Sequence, residues 1–274
     1  MNTTMRLVVV AMICCGLLVA AGSGAWCDQA AETAQQTQAV NMLYAQPPRP
    51  ATNVDDAALA ALVPQGWAIT DKLPCQLDGQ GPRELAIIMC AVDPAQRDGG
   101  WWLRYNGPSK VLILNENAPG TGPLAEFEFR GCAPAPDTKG HPPAALFTDD
   151  LNGDGIVELF VRTQEYAGGS GGWIHTNLIK WYLGAYKHAG EFGARELGGL
   201  YFLDLHEQTP GREVVVMHFI WGAEEAHFAP HRYRAHMFGW ANGHYVVIGD
   251  LNTSSKYDNP DDAFANLRRY LWKK

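Results

Sequence analysis

Little in this chain carries chemistry by motif. It contains no HExxH, no SxxK and no CxxC spacing, so common marks of zinc hydrolysis, serine acylation and thiolate-bound zinc are missing. Single Ser, His and Asp residues are too common to build a triad from spacing, and catalysis has no support at this level. Basic residues are scarce: 21 Lys and Arg against 29 Asp and Glu leave a formal net charge of −8. A surface of that sign repels phosphate backbones and anionic headgroups, which argues against nucleic acid and anionic lipid as partners. Beyond the N-terminal stretch no run is apolar enough to span a bilayer.

The exception is "MNTTMRLVVVAMICCGLLVAAGSGAWC", where Arg6 precedes an apolar run from Leu7 to Ala21 and the small residues Ser23 and Ala25. A run of about 15 residues is short for a membrane span and suits a signal peptide. Residues 1–25 are therefore expected to be removed after Ala25, leaving a secreted or periplasmic protein. An uncleaved anchor, or a lipid on Cys27 beside bulky Trp26, would also leave the domain outside the cytoplasm. Cleavage removes Arg6 and no acid, so the formal charge moves from −8 to −9.

Cys27, Cys75, Cys90 and Cys132 remain after cleavage. An oxidising compartment favours disulfides, and four cysteines allow three full pairings. If a tight hairpin places Cys75 opposite about Leu85, Cys90 lies roughly 17 Å further along the strand. Bridged Cα atoms stay within about 7 Å, which disfavours Cys75–Cys90 and makes Cys90–Cys132 the expected pair.

Residues 26–53, rich in Gln, Ala and Pro, read as a flexible linker. Order is expected from "VDDAALAALVPQGW", with a short helix after Asp55 and Asp56 that stops at Pro64-Gln65-Gly66. Short β-rich runs follow, among them "ELAIIMCAV", "KVLILNE", "AEFEFR", "VELFVRT", "TNLIKWYL", "GLYFLDL", "REVVVMHFIW" and "HRYRAHMFGW", separated by Gly, Pro, Asn and Asp. The body, residues 54–274, is all-β. A C-terminal helix should start at Asn259 and Pro260, with Asp261 and Asp262 at its positive end and Lys273 and Lys274 at the other.

An internal repeat organises this body. "QLDGQGPRELAII" from Gln76 and "DLHEQTPGREVVV" from Asp204 both match "DLNGDGIVELFVR" from Asp150, the last with one residue inserted. Glu84, Glu158 and Glu213 each open an apolar strand. Further on, "RYNGPSKVLI", "KWYLGAYKHA" and "GWANGHYVVI" share an aromatic, a glycine turn and a strand, and Trp181–Tyr186 matches Trp240–Tyr245 in spacing. A unit of about 55 to 75 residues with four strands cannot cover both its faces alone and must stack on neighbours.

The middle copy fits D-x-[DN]-x-D-G-x-x-[DE]-[LIV] through Asp150, Asn152, Asp154, Gly155, Glu158 and Leu159. In this it resembles the FG-GAP and VCBS repeats, the blades of integrin-like β-propellers, over most of residues 67–257. The resemblance implies a propeller-like stack of about three to four antiparallel four-stranded blades with a short C-terminal helix. It also implies one calcium between two strands of a blade. Asp150, Asn152, Asp154, the Ile156 carbonyl and Glu158 are the expected ligands, hard oxygens of the kind calcium takes. An EF-hand is excluded, since Val161 stands where its bidentate glutamate belongs. In the other copies Gln76 and Gln80, or His206, Gln208 and Pro210, replace the acids and speak for shared fold without metal. Three units are few for a closed ring. The segment from Leu124 to Pro143 could serve as a degenerate blade, or the ring could close by dimerisation.

The expected function is an exported non-catalytic binding or structural protein. A surface glycan, peptide or protein is its partner class, suggested by Trp101, Trp102, Trp173, Trp221 and the glycine-rich tip "EYAGGSGGW" at 165–173. That tip lacks the following helix a phosphate cradle needs. The alternative is a secreted hydrolase, using Asp149 and Asp150 or the His-rich segment 218–236. There His227 and His231 are four apart, but Pro230 denies them a zinc-binding helix.

Overall fold

The computed structural model describes residues 40–45, 47–93, 107–132, 144–165, 172–195, 198–204, 211–222, 225–226 and 229–271. These form twelve antiparallel strands in three four-stranded sheets, with two short helices. Sheet I holds β1 (Trp67–Cys75), β2 (Glu84–Ala91), β3 (Ser109–Asn115) and β4 (Ala125–Phe129). Sheet II holds β5 (Leu146–Asp149), β6 (Glu158–Glu165), β7 (Trp173–Tyr182) and β8 (Ala185–Arg195). Sheet III holds β9 (Gly199–Leu203), β10 (Glu213–Ile220), β11 (Arg232–Ala241) and β12 (His244–Asn252). In each, the strands pair in chain order. Helix α1 (Asp56–Leu59) runs into a 3-10 turn, Ala60–Leu62, and α2 (Pro260–Leu271) ends the described chain.

Strand pleating sends successive side chains to opposite faces, and the apolar clusters record this residue by residue. In β2, Leu85, Ile87 and Met89 pack under α1 with Leu59, while Ala86, Ile88 and Cys90 pack toward sheet II with Leu146, Leu159 and Val161. Phe147 and Phe160 of sheet II turn the other way, into a core with Leu200, Val214 and Val216 of sheet III. Tyr201, Val215 and Met217 face outward from sheet III and are covered by Ala263, Phe264 and Leu267 of α2. The layers therefore run α1, sheet I, sheet II, sheet III, α2. Each fully buried Leu, Ile or Phe contributes about 1.5–3 kcal/mol.

Both helices start as their sequences imply. Asp55 Oδ1 accepts the Ala58 N–H at 2.8 Å, and Asn259 Oδ1 accepts that of Asp262 at 2.9 Å. Tyr201 donates to Asp261 and its ring lies flat on Phe264. Lys273 and Lys274 lie outside the described residues.

Four expectations change. Part of the expected linker 26–53 is docked. Met42 N–H donates to the Leu200 carbonyl at 2.7 Å, Asn41 Oδ1 accepts from Leu200 N–H at 3.0 Å, and Leu43 is buried between sheets II and III. The buried Arg162 guanidinium donates to the carbonyls of Met42, at 2.5 Å, and Ala144, at 2.8 Å, while Arg49 pairs with Asp71 at 2.7 Å. Asp71 also accepts the N–H groups of Ala145 and Leu146. The Leu200 backbone groups of β9 and the Leu146 N–H of β5 are edge groups of first strands, and these contacts pair them.

Second, Cys75 lies opposite Glu84 rather than Leu85. Third, Leu124–Pro143 is no separate blade in its described part, because Ala125–Phe129 is the outer strand of sheet I; residues 133–143 lie outside the described chain. Fourth, "RYNGPSKVLI" enters β3 from β2, whereas "KWYLGAYKHA" and "GWANGHYVVI" are the β7–β8 and β11–β12 hairpins. The matching connection in sheet I is longer, carrying a 3-10 turn at Pro119–Thr121.

The two hairpins pair Trp181 with Tyr186 and Trp240 with Tyr245 directly across the strands. Their turns put two residues at positive φ, Leu183 and Gly184 in one, Asn242 and Gly243 in the other. Asparagine tolerates this left-handed backbone, whereas leucine loses about 1 kcal/mol. Leu183 is also 81% exposed. Leu183→Asn should therefore raise the melting temperature by roughly 2–4 °C; a calorimetric scan showing no rise would remove the strain.

Candidate functional site

The acidic loop lies between β5 and β6. Asp150 accepts N–H groups from Gly153 and Gly155, both at 2.9 Å, and Gly153 and Gly155 have the positive φ that lets the chain wrap its carboxylate. Asn152 Oδ1 accepts from Asp154 N–H at 3.2 Å, and Asp154 Oδ1 from Ile156 N–H at 3.0 Å. Glu158, fully buried at the head of β6, accepts from Leu151 N–H at 2.7 Å. Three of the expected ligands thus converge: Asp150, Asp154 and Glu158 each offer an oxygen within 4.8 Å of the others.

One participant escaped the sequence reading. Lys180, on β7 and 2% exposed, places its ammonium 2.8 Å from Asp154 Oδ2 and 2.6 Å from Glu158 Oε1. Asp154 is held below its usual range although burial opposes this, because Lys180 and the Ile156 N–H favour its charge. Burial pushes Glu158 up, outweighing Lys180. On the fit of calcium, the donor atoms are right in kind, yet a cation already stands between two of them. Calcium oxygens lie at about 2.3–2.6 Å, close to the Lys180 distances, so ion and ammonium compete for one place.

The same glutamate position recurs in sheet I. Glu84 accepts Leu77 N–H at 3.0 Å and the Tyr186 hydroxyl, from sheet II, at 2.7 Å. Burial and then Glu84 raise the Tyr186 pKa, and burial with Glu84 lifts the Cys75 thiol to about 12. The loops also touch each other: Arg212 N–H donates to the Leu151 carbonyl, and its guanidinium pairs with Asp149 at 2.5 Å. Asp149 is thereby an ion-pair partner.

A second site lies away from the loops, between the outer parts of sheets I and II. It is a cleft of about 410 Å³ lined by Phe127, Glu128 and Phe129 of β4, by Arg130 just after it, and by His175, Asn177, His188 and Glu191 of β7 and β8. Phe127 and Phe129, alternate residues of β4, stack with centroids 6.3 Å apart, and Phe129 lies 5.7 Å from the His188 ring. His175 Nδ1 meets Glu191 at 2.9 Å, and His188 Nε2 meets Asn177 Oδ1 at 3.1 Å. The strand alternation of "AEFEFR" and "WIHTN" places these residues on common faces, but which sheets face one another is not written in either stretch.

The two histidines are pushed apart in acidity. Glu191, then Glu165, hold His175 above its ordinary 6.5, while desolvation of its ring lowers His188. Glu191 is lowered in turn, chiefly by His175.

The His-rich segment holds another cluster. His218 and His236 meet edge to face at 5.1 Å, Trp173 lies 6.1 Å from His218, and Asp250 is 3.7 Å from His236 and bonded to Arg234. Burial, then His236, push His218 down to about 4. His231 is buried against Glu225, whose carboxyl Lys256 holds near 2. Trp221 is partly exposed beside His231. His227, Trp101, Trp102, His206, Gln208, Pro210 and residues 166–171 of the glycine-rich tip lie outside the described residues. Cys75, Cys90 and Cys132 share one buried cluster.

His175 gains stability from its proton, fully present below about pH 6.5 and lost as pH rises through its raised pKa. Glu191 contributes from about pH 4.5 upward and loses this as pH falls through its depressed value. NMR titration should find His175 above 6.5 and His218 near 4, with Glu191→Gln lowering His175; a His175 midpoint below 6.5 would contradict the pairing.

No family model and no curated protein matches this chain. A solved structure titled "Crystal structure of CarG" aligns with a TM-score of 0.31 at 11% identity, over 44% of this chain and 89% of that one, a likeness too low to bear on fold or activity.

Proposed function

We propose that this chain is an exported, non-catalytic binding protein, an open propeller-like stack of three blades that holds a sugar unit of a surface glycan between sheets I and II. The blade reading is supported by three antiparallel meanders that each carry the repeat loop between first and second strands.

The observation that carries the binding reading is a cleft with two unlike walls. The Phe127 and Phe129 rings offer a flat apolar surface suited to the C–H face of a sugar. Opposite, Asn177, His175 and Glu191 supply amide, imidazole and carboxylate groups suited to hydroxyls. Arg130 and His175 lie beside Glu128 and Glu191, so the lining carries groups of both signs and suits a neutral polar ligand better than an ion. The reading needs no calcium.

A hydrolytic reading has one observation in its favour: His175 and His188 are pushed in opposite directions within one cleft, as acid and base partners are.

A glycan array with the folded chain should return a saccharide whose affinity, measured by calorimetry, falls about tenfold or more in Phe129→Ala and in Glu191→Gln, the loss of about 1.4 kcal/mol or more. His244→Ala, at the β11–β12 turn, should bind unchanged. Saccharide binding that ignores Phe129 and Glu191 would move the site elsewhere, and cleavage of the bound glycan would favour the hydrolytic reading.

A further inference from the structure

We propose that the Asp150–Glu158 loop carries its own cation, the Lys180 ammonium, and takes no calcium. This holds whatever ligand the cleft accepts.

The ammonium is in the place where the ion would be. It bridges Asp154 Oδ2 and Glu158 Oε1 at 2.8 and 2.6 Å, from a side chain that is 2% exposed. Its fixed position comes from β7, whose register sets Lys180 opposite Lys187 while Lys187 itself is exposed. The Trp240 ring of sheet III lies 5.5 Å from the same ammonium, so an aromatic face helps to enclose it. A divalent ion between these carboxylates would meet a buried positive charge at contact distance. Displacing Lys180 would bury that charge elsewhere without its partners.

The remaining side-chain oxygens are also engaged. Asp150 uses both carboxylate oxygens on Gly153 and Gly155 N–H groups, Asn152 Oδ1 takes the Asp154 N–H, and Glu158 Oε2 takes that of Leu151. The loop is closed by its own donors.

Sheet I repeats the arrangement with different chemistry. There the Gln76 amide donates to Asp78 Oδ1 at 3.0 Å and to the Gln80 carbonyl at 2.9 Å, while Glu84 is met by the Tyr186 hydroxyl. At two equivalent loops the protein thus supplies an N–H donor to the loop oxygens, the neutral Gln76 amide of the loop itself in one and the charged Lys180 of β7 in the other, matching the extra acid. The common requirement is a donor for the buried glutamate and its loop, and a metal is one way of several to meet it.

The experiment is thermal unfolding and calorimetry of the full chain, in millimolar calcium chloride and in chelator, for the wild type, Lys180→Met, and Lys180→Met combined with Glu158→Gln. The wild type should give no binding heat and the same melting temperature in both buffers. Lys180→Met should melt roughly 10 °C lower in chelator, because Glu158 and Asp154 lose their partner. The double variant should recover most of that loss, which also covers the case in which the single variant fails to fold. A wild-type melting temperature that rises with calcium overturns the proposal, as does a Lys180→Met chain as stable in chelator as the wild type.

Discussion

The second strand of every sheet is apolar on both faces, and the rest of the structure follows from hiding both. Strands β2, β6 and β10 present Leu85 and Ala86, Leu159 and Phe160, Val214 and Val215 to opposite sides, so a single sheet in water would expose one whole face. Stacking covers the inner faces. The two outermost remain, and α1 and α2 cover them. With both outer faces covered, the sheets can end in water.

The same burial creates a polar problem. Each second strand begins with a glutamate, and these heads are 2%, 0% and 7% exposed at Glu84, Glu158 and Glu213. A buried carboxylate needs donors, and the neighbouring chain supplies them: the backbone of the preceding loop, a lysine of the same sheet, a tyrosine of the next. Sheet stacking and loop geometry are therefore coupled, since Tyr186 of sheet II reaches Glu84 of sheet I. The cleft belongs to the same logic, lying between β4 and the β7–β8 pair where Phe127 and Phe129 border the shared core.

Much of this was legible in the residues. Near-continuous apolar runs after a glutamate marked the second strands, and Asp55, Asn259 and Pro260 marked the helix starts. The carboxylate oxygens of Asp150, Asp154 and Glu158 did converge. What escaped was long-range. Lys180 reads as a surface charge within "TNLIKWYL" until β7 is laid beside β6. Arg162 reads the same way, and the Gln- and Ala-rich strap it holds has one buried leucine, Leu43, and otherwise docks by hydrogen bonds and an ion pair that composition does not record. The sheet I hairpin was misplaced because a 3-10 turn replaces the short glycine turn of the other two sheets. Phe127, Phe129, His175 and Glu191 come from strands of two sheets, and only packing brings them together.

The central claim, that three sheets and two capping helices form one cooperative stack, is tested most directly by hydrogen–deuterium exchange of the full chain. Amides of Leu85–Met89, Leu159–Val161 and Val214–Met217 should share the slowest class and open with one common free energy, because each strand contributes to two cores. Second strands that exchanged at separate rates, with sheet III opening orders of magnitude faster than sheets I and II, would mean that the sheets fold as independent units and would contradict the account.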